Sequence, residues 1–185
     1  MRTKPRSLGL GFGLVLVVAG LWQLTSRAAA PESQPAVVAT AKERSLPTIE
    51  EARRRAEILH EAMHATLQVV HLQYFREDEG VAIPAATLRS VFRELSRRQG
   101  VELRWLAVDA QAMNKDHEPA SDFEKDAAAK LAAGATSHEQ VDGGTYRRVG
   151  KIVLESECLK CHQPTRMDTR SRTAGLVIAM PVTPQ

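Results

Sequence analysis

A chain of 185 residues with 43% apolar side chains is long enough for one domain with a real core, plus a leader and a linker. Aromatics make up only 4%, so that core has to be aliphatic. Twenty-five basic against 22 acidic residues leave a formal charge of +3, too balanced to argue for a nucleic-acid partner.

Arg2, Lys4 and Arg6 make a basic start, and Leu8 to Trp22 follows with no polar side chain. This is a signal peptide or a membrane anchor over residues 1–27. The run is slightly short for a span, which needs about 20 apolar residues. Ala28 to Ala30 offer small residues for cleavage, but Pro31 is a poor residue to follow a cut, and Trp22 suits a membrane interface. The expectation is a retained inner-membrane anchor at 8–24, with the remainder exported to the periplasm. Residues 28–47, rich in Ala, Pro, Ser and Gln, read as a flexible linker, so the domain is 48–185.

Thr48-x-x-Glu51 is a capping box and starts a helix. Ile49, Ala52, Ala56, Leu59, Met63, Leu67, Val70 and Tyr74 recur at steps of three and four, a long helical stripe. His60, His64 and His71 fall within about 40° of one another on the helical wheel, beside that stripe. A solvated helix edge accounts for any one of them. As a set they are candidates for a metal-ligating nitrogen. The stripe also suits pairing with a second copy, a homodimer through the long helix, or cover for a sheet.

Pro84 opens a second helix with Leu88, Val91, Phe92 and Leu95 on one face, and Gly100 ends it. Residues 101–108 predict a strand. A polar loop with Met113 and His117 follows. Ser121-x-x-Glu124 starts a short helix carrying Phe123, Ala127 and Leu131. Asp142-Gly143-Gly144 predicts a hairpin turn between two strands, and the apolar run 174–182 predicts a central strand. His117 and His138 are expected at the surface.

Between the last two strands stands Cys158-Leu159-Lys160-Cys161-His162, which holds both cysteines of the chain. C-x-x-C-H is the attachment signature of a c-type haem: two thiols add to the two vinyl groups on one edge of the ring, and the histidine reaches the iron. Three other readings compete. A redox disulfide usually opens a helix in a βαβ setting, which nothing here suggests. The three residues could be zinc ligands completed by a distant histidine, or could be idle. Met113, Met167 and Met180 are minor candidates for an axial ligand, Met180 being most consistent with core.

Only 23 residues follow His162, which excludes the plan with an N-terminal motif and a downstream methionine ligand. A four-helix plan puts the motif inside the last helix, but Pro164 follows almost at once. The order helix, helix, strand, helix, hairpin, motif, strand is α+β, with helices packed on a small antiparallel sheet.

With Met113-Asn114, Pro119 to Phe123-Glu124, Tyr146 to Leu154 leading into the motif, and Gly175 to Pro181 in this order, the chain resembles a known family over about 50–182. That family is the single-haem c-type proteins with a PAS-like sensory fold, catalogued as a domain of unknown function. The resemblance implies a PAS-like sheet and one covalent haem c, held by Cys158 and Cys161 with His162 as proximal ligand. It implies an exported sensor domain, with a small gas or a redox change as input. In some members a cysteine from the helical half is the second axial ligand. This chain has none there, and His71 stands at a similar distance before the motif, followed by His64 and His60. Gln163 stands where the family often has glycine, which leaves the local turn open. A tethered electron carrier serving a redox partner protein is the alternative function. Catalysis ranks last, because no distal acid–base pair is visible.

Overall fold

The computed structural model describes residues 45–76, 79–80 and 82–184. The leader and nearly all of the linker lie outside the described residues, and with them the anchor expected at 8–24. Among the described residues no helix is long and apolar enough to cross a membrane.

Four α-helices and four strands are found among the described residues, in the α+β order expected. Helix α1 spans Ile49–Tyr74. Its capping box forms: Thr48 Oγ1 accepts from the Glu51 amide at 3.2 Å, and a Glu51 carboxylate oxygen accepts from the Thr48 amide at 3.4 Å. Helix α2 spans Pro84–Gln99, and α3 spans Asp122–Ala132 behind a second capping box at Ser121. Strands β1 (Glu102–Ala107), β2 (Ser137–Asp142), β3 (Thr145–Leu154) and β4 (Arg172–Pro181) form one antiparallel sheet in the order β1-β4-β3-β2. The last strand is central, as its apolar run requires. Gly143 and Gly144 turn the β2–β3 hairpin at φ 54° and 76°, the two positive angles of a type I′ turn.

Strand alternation divides the core in two. Leu103, Trp105, Tyr146, Ile152, Leu176 and Ile178 face α1 and α2. Leu106, Val149 and Val177 face Phe123, Ala127 and Leu131 of α3. The indole of Trp105 donates to the Ala85 carbonyl at 3.0 Å and packs at a tilt against Phe92, ring centres 4.9 Å apart, which fixes α2 on β1. Arg104 leaves the other face, reaching Glu124 at 2.6 Å and the carbonyls of Asp116 and Glu118 at 2.8 Å, so the 109–120 loop is tied to the sheet.

Two expectations need correction. Contrary to the reading that nothing at the motif suggests a helix after a strand, the motif lies in a seven-residue helix, α4, Ser156–His162. It does follow a strand, but the next strand returns antiparallel beside β3, so the setting is not βαβ. The α1 stripe also differs. Ala52, Ala56 and His60 are its buried line, at four-residue steps, while Tyr74 is exposed. His60 therefore sits in the packed face and not beside it.

Candidate functional site

Helix α4 is fastened by Leu159, which is fully buried among the α1–sheet core. The Leu159 carbonyl accepts from the Gln163 amide and from Arg166, both at 3.0 Å, closing the helix end. Cys158, Cys161 and His162 stand at i, i+3 and i+4, one face of a helix. Both thiols are free and half-buried. Burial pushes the Cys158 thiol up from its ordinary range.

His162 is half-buried, and that burial is the main reason its imidazole protonates less readily than usual. Its ring hydrogen-bonds the main-chain carbonyl of Gln111, which opposes the shift, while the charge of His71 adds to it. A carbonyl on one ring nitrogen fixes the tautomer and leaves the other nitrogen as a lone-pair donor. The same loop brings His117 close: His162 acts on its titration, after burial and the charges of Arg89 and Arg104, which hold it low.

The histidines of α1 are placed by the way that helix runs along β3. Arg53 holds Glu139, which also accepts from the Tyr146 hydroxyl at 2.7 Å. One turn on, Glu57 lies 3.6 Å from Arg148. Next, the His60 ring lies over Gly150: a Cβ there would fall 2.2 Å from its Cδ2. As α1 advances through 53, 57 and 60, β3 advances through 146, 148 and 150, so the two run in the same direction. Continuing to His71 reaches the level of α4, where its charge acts on both Glu157 and His162. Of the three α1 histidines, His71 is the one whose charge acts on residues of α4. His64 lies seven residues earlier, about 10 Å along the helix, and His60 four residues before that.

His60 and His64 form their own pair, ring centres 5.8 Å apart. His60 Nδ1 meets Glu61 Oε1 at 3.2 Å. Burial, then the charge of His60, holds the His64 pKa below its ordinary value. Among the described residues, the buried side-chain nitrogens and oxygens without a protein partner are His60 Nε2, His64 Nε2 and Arg148 Nε. Gly150 was a readable signal, since a glycine inside a strand often marks close approach by another group. Arg148 and the Gln111 carbonyl carried no such sign.

The remaining candidates are scattered. Met180 is core on β4, as expected, whereas Met167 is wholly exposed after α4 and Met113 is exposed in the loop. His117 and His138 are half-buried, not surface residues. His138 stacks on Phe123 and lies 3.0 Å from Asp126. Among the described residues no group of three or more His, Cys, Asp or Glu is arranged to hold a metal ion, so the distant fourth ligand of the zinc reading is not assembled there.

A family model described as Tll0287-like matches residues 42–174. Among solved structures, the chain is similar to that of the cyanobacterial heme-protein Tll0287, at 16% identity and a TM-score of 0.56. The match covers 74% of this chain and 98% of that one, and it speaks for a common fold. No curated protein matches the chain.

Proposed function

The chain belongs to the Tll0287-like family, and from that premise we propose that it is a single-haem c-type protein that works as an exported redox or gas sensor. The observation that carries the reading is the placement of Cys158, Cys161 and His162 on one face of α4, near enough to α1 for the charge of His71 to act on His162. Those residues fit such a group. Two free thiols three positions apart can hold the ring edge, and the Gln111 carbonyl presents the His162 imidazole in one tautomer. Bound there, the haem would supply a one-electron couple and an iron that accepts axial nitrogens. The related cyanobacterial chain is described as a heme-protein, which supports the assignment.

On this reading His162 would hold the iron throughout and His71 would be the exchangeable donor. The start of α1 is held by its capping box, by Arg53 on Glu139, and by the fully buried Ala52 and Ala56. Beyond His60 no residue of α1 is buried, so its last turns are lightly packed against the domain. Local release of those turns costs little, so loss of His71 from the site can be passed along the helix. The apolar run Leu8 to Trp22 supports an exported domain tethered to the inner membrane. Ile58, Ala62, Ala65, Val69 and Leu72 lie exposed at alternating steps of four and three, the spacing of a pairing seam for a second copy. No catalytic role is assigned.

The test is the spectrum of full-length protein matured in an exporting host. The expected result is a c-type alkaline pyridine spectrum and sharp low-spin bands on reduction. His71→Ala should turn the reduced protein high-spin and let carbon monoxide bind at once. A low-spin spectrum unchanged in H71A removes His71 from the iron, and absence of covalent haem overturns the reading. Electron transfer is the second function, favoured by the firm anchoring of the first half of α1. Indifference of the wild type to carbon monoxide, together with fast reduction by a quinol or cytochrome donor, would select it.

A further inference from the structure

We propose that His60, His64 and Arg148 form a buried oxyanion site between α1 and β3, made to receive a carboxylate or phosphate group. The three nitrogens without partners belong to α1 and β3: the His60 and His64 rings lie 5.8 Å apart, and Arg148 stands two residues before the Gly150 that His60 covers. The His60 side chain is only 9% exposed and that of Arg148 16%. A buried polar nitrogen left unbonded is costly, so three of them along α1 and β3 call for something that bonds them.

The chemistry of that group follows from the donors. Arg148 and Gly150 alternate onto the same face of β3, under α1, and the His60 ring occupies the space that a side chain at 150 would fill. Arg148 reaches Glu57 and Glu139 only through its terminal nitrogens, at 3.6 and 3.7 Å, which leaves the Nε–H unused. A guanidinium stays charged and only donates, so it repels a cation and calls for an acceptor. Glu61 takes His60 Nδ1 and orients the ring, with Nε2 close to Gly150 and without a hydrogen-bond partner. An oxyanion can accept from Arg148 and share a proton with either imidazole. Two histidines alone are also one ligand short of a three-ligand metal group, and no such group occurs among the described residues.

The oxyanion could be a propionate of the haem, if the ring lies along α1 toward His64, or a free anion. The propionate source rests on the function proposed above, and the free source does not. Full-length haem-loaded protein would be prepared from cells fed 5-aminolevulinate carrying 13C at its carboxyl carbon, which labels the propionates. Infrared spectra of wild type, Arg148→Met and His60→Asn would be compared. Inorganic phosphate and acetate would be titrated by calorimetry into the same proteins and into haem-free Cys158→Ala/Cys161→Ala protein.

Label-sensitive carboxylate bands that move in both variants establish the propionate source. Phosphate or acetate binding to wild type, weakened about tenfold or more in both variants, establishes a free anion, the factor being what one charge-assisted hydrogen bond gives. Bands that stay in place, with no anion binding in any protein and cooperative unfolding retained, overturn the site and leave water as the occupant. Conversion to high spin in His64→Asn also overturns it, by giving His64 to the iron. If no haem is attached at all, the function fails, while the anion titration still decides the oxyanion site.

Discussion

At single residues, the close contact of His60 with Gly150 and the sharing of Glu139 between two elements make separate demands. Gly150→Ala would place a methyl group 2.2 Å from the imidazole, in a packed interface. Overpacking of this kind costs about 1–3 kcal/mol. The clash needs both partners, so His60→Ala should make Gly150→Ala nearly free. A denaturant-unfolding cycle over the four proteins should therefore show strong coupling, and additive losses would mean the ring simply moves aside. Glu139 behaves differently. The Arg53 guanidinium, with help from the Tyr146 hydroxyl, holds its carboxyl below the ordinary value of 4.5. A depressed carboxyl contributes stability that is fully present above pH 4.5 and is lost as pH falls through its folded value. Glu139→Gln should unfold more easily than wild type at neutral pH, and the difference should close in acid. Tyr146→Phe should cost about 1 kcal/mol, since the fully buried ring keeps its packing and loses one hydrogen bond.

At the level of elements, the long patterns were readable and the short ones were not. Two capping boxes fixed the starts of α1 and α3 within a residue, because each names both halves of a reciprocal bond. The Asp-Gly-Gly turn fixed the hairpin register. Helix α4 escaped notice because seven residues hold too few periods to show a face, and Pro164 so soon afterwards argues locally against a helix. Tertiary packing of Leu159 decides the matter, and periodicity cannot see it. Leu159→Ala should cost about 2–5 kcal/mol and lower the yield of covalently attached haem, measured per folded protein by the pyridine spectrum. An unchanged yield would mean that α4 forms without that anchor. The direction of α1 along β3 was equally invisible, being set by Arg53, Glu57 and His60 against residues of β2 and β3. The sequence placed three histidines on one face, and only the packing separates His71 at α4 from His60 over the sheet. Its outward seam makes a further prediction: Val69→Glu with Leu72→Glu should convert a sedimenting dimer to a monomer without loss of the low-spin spectrum.

Across the whole molecule, the sheet is covered on both faces, and this leaves histidines half-buried in three separate places. His64 is on α1, His117 in the 109–120 loop within reach of the charges of Arg89 and Arg104, and His162 on α4. Burial is the first cause in each case, and each pKa falls below its ordinary 6.5. The folded chain thus resists protons that the unfolded chain accepts. Stability is unaffected well above pH 6.5, falls as pH drops below it, and stops falling from this source once the folded values are passed. Each histidine contributes a slope of at most about 1.4 kcal/mol per pH unit within that window. The depressed carboxyls, Glu139 among them, add a second loss at lower pH. Thermal unfolding of the haem-free cysteine variant between pH 8 and pH 3, end points chosen to bracket about 6.5 and the carboxyl range, should therefore show two successive declines. His117→Gln should flatten the upper decline and leave the lower one in place. In haem-loaded protein the upper decline should also shrink, since iron ligation would withdraw His162 from titration. A single decline confined to the carboxyl range would show that the three imidazoles are hydrated as freely in the folded chain as in the unfolded one.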